Sequence, residues 1–372
     1  MKYTCLLFIL FSIFLNTALA APKIIPKAPA VAASSYILMD HGSGRIISME
    51  DADTQVAPAS ITKVMTAYVV FSEIQEGNIK LEDRVTVSEK AWRTPGSRMF
   101  IKVDTQVSVE DLLQGMIIQS GNDASVALAE YVAGSEDTFA ALMNQHAKEL
   151  GMNNTFFMNS TGLPDPQHLT TARDLAILAS ALITRFPQYY HWFSTKEFTY
   201  NNITQPNRNK LLWRDKTVDG MKTGHTEEAG YCLLASAKRE DMRLISVVLG
   251  TSSENTRAQE SQKLLNFGFR FYQSHALYKA DKPLKKIRIY KGEKEQLAVG
   301  VSKDMYVIVP RGQYQKLKPS INIKQLLEAP VSKGQTLGQV EIRLEDKLIA
   351  QSPVVALEDI AEGSLWQQAI DL

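Results

Sequence analysis

The sequence predicts a mixed α/β (α+β) unit followed by a small all-β domain, and three observations carry that expectation. The chain has 372 residues, more than one hydrophobic core usually organises, so two domains are expected. From about Lys23 to Ser274, runs of helical period such as VEDLLQGMIIQSGNDASVALAEYVAG and ARDLAILASALITRF alternate with short strand-like runs, SYILMD, GRIISM and MRLISVVLG. After about Ala280 only short β runs follow, KKIRIY, MYVIVP, GQVEIRL and PVVALE, separated by turns rich in Gly, Pro and Lys.

In chain order, residues 1–20, MKYTCLLFILFSIFLNTALA, combine Lys2, an apolar run and Ala18-Leu19-Ala20, the pattern of a cleavable export leader. No later stretch reaches the ~18 consecutive apolar residues of a membrane span, so the mature chain reads as soluble or peripheral. Loss of the leader takes Lys2 with it, and the 41 basic residues become 40 against 40 acidic ones. A chain without net charge carries no nucleic-acid footprint. Cys5 leaves too, so no intramolecular disulfide can form, and Cys232 in GYCLLASA reads as a small buried apolar residue on a strand. The expected units are 21–280, 281–357 and a short tail, 358–372.

The pattern that carries chemistry begins at APASITKVMTAYVV, Ala57 to Val70, which reads as a core helix yet holds Ser60 and, one turn on, Lys63. Residues three apart on a helix are neighbours, so a helix starting near Ser60 sets an amine beside a hydroxyl. The helix start also offers free amides and a positive dipole end. Taken alone, an N-cap Ser followed by a solvated Lys is the simpler explanation. Two further motifs change the balance. Ser60 is the only Ser in the chain with Lys at the third following position. QSGNDAS then sets Ser120 and Asn122 around Gly121 between two helical runs, and VDGMKTGHTEEAGYCLLASA holds the single Lys-Thr-Gly, Lys222 to Gly224, at the mouth of a strand pattern.

In this order the motifs resemble those of the penicillin-binding protein and serine β-lactamase superfamily. DHGSGRIISMEDAD, SGNDASVALAEYVAGSEDTFAALMN, QPNRNKLLW and KTGHTEEAGY are further similar to the low-molecular-weight D-alanyl-D-alanine carboxypeptidases, in which a transpeptidase-like domain precedes a β domain. The resemblance implies Ser60 as the acylated nucleophile, Lys63 as its proton acceptor, Ser120 as a relay towards the leaving amine, and Asn122 as the amide that positions the base and the substrate backbone. A serine hydroxyl needs such a base, and a Lys serves only when burial or nearby positive charge lowers its pKa. Lys222 is the expected source of that charge.

The same resemblance implies that substrate lies along the Lys222-Thr223-Gly224 strand, with Gly224 admitting close backbone approach. Lys222 and Thr223 then face a free carboxylate, and the backbone amides of Ser60 and His225 form the oxyanion hole. Arg257, in TSSENTRAQESQKLL, helps recognise the carboxylate, and Arg208, in QPNRNKLLW, supports the same pocket. The partners implied are peptidoglycan stem peptides and β-lactam antibiotics, with no metal or organic cofactor.

Two other readings share part of this pattern. A serine β-lactamase also needs a Glu between the second and third motifs to activate water, whereas NSTGLPDPQHLTTARD, Asn159 to Asp174, offers only Asp165 and Asp174. A penicillin sensor or scaffold has no use for all three motifs. The tail, EDIAEGSLWQQAIDL, sets Leu365, Trp366, Ala369 and Ile370 on one helical face, as a membrane anchor of related periplasmic enzymes does. Its helical portion of about eight residues is shorter than the ~12–15 at which isolated helices become marginally stable, and no Lys or Arg follows Gly363. Weak or no contact with the inner membrane is the expectation.

Overall fold

The computed structural model describes residues 25–323, 326–364 and 366. The expected leader lies outside the described residues, as do Leu365, Ala369 and Ile370 of the tail; Trp366 is exposed.

An antiparallel five-stranded sheet organises the first unit, in the order Ile46–Glu50, Ser35–Asp40, Met242–Thr251, Gly230–Arg239, Val218–Thr226. SYILMD is apolar almost throughout because both faces of its strand are covered. Successive side chains point to opposite faces, so Ile37 and Met39 enter one core while Tyr36 and Leu38 enter the other. The second core is closed by the helix Glu254–Phe271 through Leu264, Leu265 and Phe267.

The first core is larger and mostly helical. At its centre the helix Lys63–Gln75 is buried continuously from Lys63 to Ser72, as a helix apolar on all sides must be. Ala172–Arg185, Asn122–Ala133 and Glu136–Leu150 surround it. Ser108, Ser135, Thr171 and Ser253 begin their helices by accepting a backbone N–H with the side-chain oxygen. The long helical run expected from VEDLLQG onward is interrupted: Val109–Gln114 passes into a wide π turn, Gly115–Gln119, and Ser120 then adopts a left-handed backbone before Asn122–Ala133 starts.

The C-terminal unit is all β. A second antiparallel sheet runs in the order Pro283–Arg288, Gln296–Gly300, Lys347–Ala356, Thr336–Leu344, Leu317–Ile323, and Tyr272–Tyr278 pairs with Met305–Pro310 beside it. Val299, Val307, Val340, Ile342 and Val354 form its own core. At the joint between units, buried Asp40 accepts from the hydroxyls of Ser43 (2.6 Å) and Ser274 (3.2 Å), and Arg45 donates to the Ile308 carbonyl (3.2 Å). Among the described residues no helix is long and apolar enough to cross a membrane.

Candidate active site

Ser60 sits in a 3₁₀ turn, Ala59–Thr62, that runs directly into the helix Lys63–Gln75. The α-helical start expected at Ser60 is replaced by this tighter turn, whose three-residue repeat eclipses positions i and i+3 and stacks Lys63 on Ser60. Ser60 is therefore no N-cap; Pro58 occupies that place, and no side chain caps the turn. Ala59 has a left-handed φ of 46°, a conformation that costs a non-glycine residue ~1–3 kcal/mol. Two glycines make room for the turn. A Cβ on Gly162 would overlap the Ala59 carbonyl, and one on Gly224 would stand 3.0 Å from the Pro58 carbonyl oxygen. The close approach expected at Gly224 is made by the turn that carries Ser60.

Lys63 is 1% exposed. Its Nζ lies 3.2 Å from Ser60 Oγ, 2.7 Å from Asn122 Oδ1 and 2.6 Å from the Thr161 carbonyl oxygen. Burial first, and the Arg208 guanidinium second, push its pKa down to about 7 against the opposing pull of Asp123 and Glu136. Arg208 thus acts beside the expected Lys222, which shares a repulsion with Lys63. Lys222 is itself buried, donates to the Thr223 carbonyl at 3.2 Å, and is held well below the usual lysine range by burial and by Lys63, Arg208 and Arg257.

The second motif reaches the same place through its unusual backbone. Ser120, at φ 71° after the π turn, lines the cleft with a buried hydroxyl that has no hydrogen-bond partner among the described residues. Asn122 accepts from Lys63, but its amide nitrogen donates to the Pro95 carbonyl at 2.6 Å. It holds the Lys63 amine in place, and the Pro95 carbonyl takes one of its two amide hydrogens.

The third motif occupies the edge strand Val218–Thr226, which pairs within its sheet only with Gly230–Arg239. At Thr223, Gly224 and His225 the strand borders the cleft. Ser60, Ser120, Thr223, His225, Arg208 and Arg257 all border a cleft of about 450 Å³, in which Glu254 is the single lining carboxylate among the described residues. Arg257 is 4% exposed, donates to the Gly224 carbonyl at 3.0 Å and lies 4.0 Å from Glu254. The exposed His225 ring stacks on Tyr231 at 4.0 Å. Arg208, also exposed, is presented between Asn207, which donates to the Thr195 carbonyl (3.0 Å), and Asn209, which donates to the Gly220 carbonyl (3.0 Å).

Several supporting residues escaped the sequence reading. Asp123 accepts from the amides of Met99 (2.9 Å), Phe100 (2.9 Å) and Ile101 (3.3 Å), fixing the loop whose Gly96 and Ser97 line the cleft. Asn159 accepts from Gly162 N (2.8 Å) and holds the loop that meets the Ser60 turn, while His168 Nε2 lies 3.0 Å from Thr62 Oγ1 beneath it. The available signal was an acid directly after Ser-x-Asn and a Gly following Asn159-Ser160-Thr161, neither distinctive alone. Asp165 accepts from Gln167 N (2.8 Å), and Asp174 from Asn154 N (3.0 Å) and Thr155 Oγ1 (2.7 Å); neither lines the cleft. Cys232 is fully buried, with its thiol pushed up to about 11 by that burial.

A strand bordering the cleft beside a serine and a depressed lysine, with Arg208 and Arg257 around it, suits an extended peptide that ends in a carboxylate, and places the molecule among the serine peptidases of the penicillin-binding class. Residues 23–253 match the D-alanyl-D-alanine carboxypeptidase family, and residues 272–362 the C-terminal domain of penicillin-binding protein 5. The chain is 46% identical to the D-alanyl-D-alanine carboxypeptidase DacC of Escherichia coli over 96% of its own length and 92% of the relative's, and 42% identical to DacA of the same organism over 93% and 88%. The crystal structure of penicillin binding protein 5 from Haemophilus influenzae superposes with a TM-score of 0.87 at 41% identity, covering 91% of this chain and all of that one. The chain belongs to the D-alanyl-D-alanine carboxypeptidase family and is a serine-type carboxypeptidase.

Proposed function

We propose that this enzyme removes the terminal D-alanine from peptidoglycan stem pentapeptides through a Ser60 acyl-enzyme, and that β-lactams acylate the same serine. The observation that carries the reading is Lys63, buried, 3.2 Å from Ser60 and with a pKa near 7. As a neutral amine it donates to Asn122 and Thr161 and turns its lone pair to the Ser60 hydroxyl, which is how a general base must stand.

The peptide lies along Val218–Thr226 where the strand borders the cleft. Ser60 Oγ attacks the penultimate carbonyl as Lys63 takes its proton, and the amides of Ser60 and His225 hold the oxyanion. Ser120, whose hydroxyl is otherwise unpartnered, passes a proton to the departing amine. Thr223 and Arg257 bind the free carboxylate, with Lys222 beneath them, by the charge-assisted hydrogen bonds that separate a chain end from chain interior. Water then releases the shortened peptide. We further propose the division 21–280, 281–357 and 358–372, export to the periplasm after removal of residues 1–20, and a tail that gives weak or no hold on the inner membrane. A relative, penicillin-binding protein D2 of Listeria monocytogenes, 29% identical, is known in an ampicillin-bound form.

Ser60→Ala should abolish labelling by a fluorescent penicillin and release of D-alanine from a pentapeptide, with the fold intact by circular dichroism. A covalent adduct on the folded variant would put the nucleophile elsewhere. Labelling of the wild type without peptide turnover would mark a sensor, and rapid loss of the label would mark a β-lactamase. Against the last, both carboxylates of the Asn159–Asp174 loop serve local hydrogen bonds.

A further inference from the structure

The joint between the two units holds a polar space of its own. A cavity of about 690 Å³ is walled from the first unit by Lys238, Asp241 and Arg243 and from the β domain by Lys303 and Asp304. None of its lining residues borders the cleft at Ser60. Its size falls within the ~300–1,000 Å³ usual for small-molecule sites. Gly42 lets the units meet here, since a Cβ on it would stand 3.1 Å from the Tyr306 ring, which completes the wall.

The charges around the cavity divide into those already satisfied and those left over. Arg243, its side chain 13% exposed, holds both oxygens of Asp219 at 2.7 Å. Asp304 accepts from Ala280 N (2.8 Å) and pairs with Lys279 (3.0 Å). His41 Nδ1 lies 2.9 Å from Ser180 Oγ, and burial, aided by the Arg243 charge, pushes the pKa of its ring down to about 4, so it is neutral at pH 7. Three charges remain. Lys238, Asp241 and Lys303 are exposed and make no side-chain hydrogen bond or salt bridge among the described residues.

A ligand that answers two ammonium groups and one carboxylate carries two carboxylates and one ammonium. We propose that the joint cavity binds an acidic amino acid, or a short peptide presenting the same three charges, with its carboxylates on Lys238 and Lys303 and its ammonium on Asp241. Lys238 and Lys303 belong to different units, so the ligand ties the β domain to the first unit. All three contacts are exposed, and binding is therefore weak and falls with ionic strength.

The test is calorimetric titration of the full mature chain at low salt with glutamate, alanyl-glutamate, glutarate, which lacks the ammonium, and glutamine, which lacks one carboxylate. Glutamate or the dipeptide binds saturably, and the tighter of the two separates a free amino acid from a peptide as the source. Glutarate and glutamine each bind about tenfold more weakly than glutamate, the scale of one charge-assisted hydrogen bond. Lys238→Glu and Lys303→Glu each weaken glutamate binding about tenfold, with the fold intact by circular dichroism. Asp241→Asn weakens glutamate binding and leaves that of glutarate unchanged. Absence of saturable binding by both glutamate and the dipeptide overturns the proposal. Equal affinity for all four compounds, or undiminished binding by the folded lysine variants, overturns it as well.

Discussion

Replacing Arg208 by Gln isolates the electrostatic control of Lys63. With a pKa of about 7, the amine is about one-tenth neutral at pH 6, half at pH 7 and nine-tenths at pH 8. The neutral form is the base, so acylation falls as the pH drops through 7 and rises about tenfold between pH 6 and 8. Arg208 is the second cause of the depression after burial, and its removal raises the pKa. If that rise is one pKa unit, it corresponds to ~1.4 kcal/mol of lost repulsion. The neutral fraction at pH 7 then drops from about a half to about a tenth, a fivefold slower acylation, while at pH 9 the loss is about 10%. Growth of the covalent adduct with a fluorescent penicillin measures this, and the ratio of rates at pH 7 and pH 9 cancels any loss of β-lactam affinity. An Arg208→Gln enzyme with the wild-type ratio, or a wild type with a flat profile between pH 6 and 8, would refute the assignment of Lys63 as a base tuned by Arg208.

Arg257→Ala should lower kcat/KM on a free-acid peptide by ~10–100-fold, the loss of a charge-assisted contact, and on the matching C-terminal amide far less; equal losses would free Arg257 from carboxylate recognition. Gly162→Ala combines a left-handed φ of 82° with overlap on the Ala59 carbonyl, so calorimetry should show a lower Tm, consistent with ~1–3 kcal/mol of strain, together with slow penicillin labelling. An unchanged Tm and labelling rate would mean that the nucleophile turn tolerates displacement. Deleting the residues after Gly363 should leave D-alanine release unchanged and vesicle flotation weak with or without the tail; salt-resistant flotation lost on deletion would make the tail an anchor.

The strands SYILMD and MRLISVVLG were legible because burial on both faces writes a continuous apolar run, and Ser60, Ser120 and Lys222 were legible because three weak motifs fell in one order. The break at Gly115–Gln119 was not. Its residues are apolar and helix-compatible, and only packing shows the extra residue per turn that carries Ser120 into the cleft. Arg208 was seen as a neighbour of the pocket but not as the charge acting on Lys63, since that depends on a hairpin folding back from far along the chain. Asp123 drew no notice in the sequence, since its three amide donors belong to a loop more than twenty residues earlier.

The local use of Asp165 and Asp174 bears on how such a protein would escape an antibiotic. The clamp of Thr223 and Arg257 would grip a drug's carboxylate with the same atoms that grip the natural peptide, so selection cannot loosen one without the other. What remains adjustable is the lifetime of the blocked enzyme, set by whether a water near Ser60 finds a base. A resistance mutation is therefore expected to introduce a new acid on the cleft side of the Asn159–Asp174 loop rather than to recruit the two carboxylates already there, whose removal would unfasten the loop.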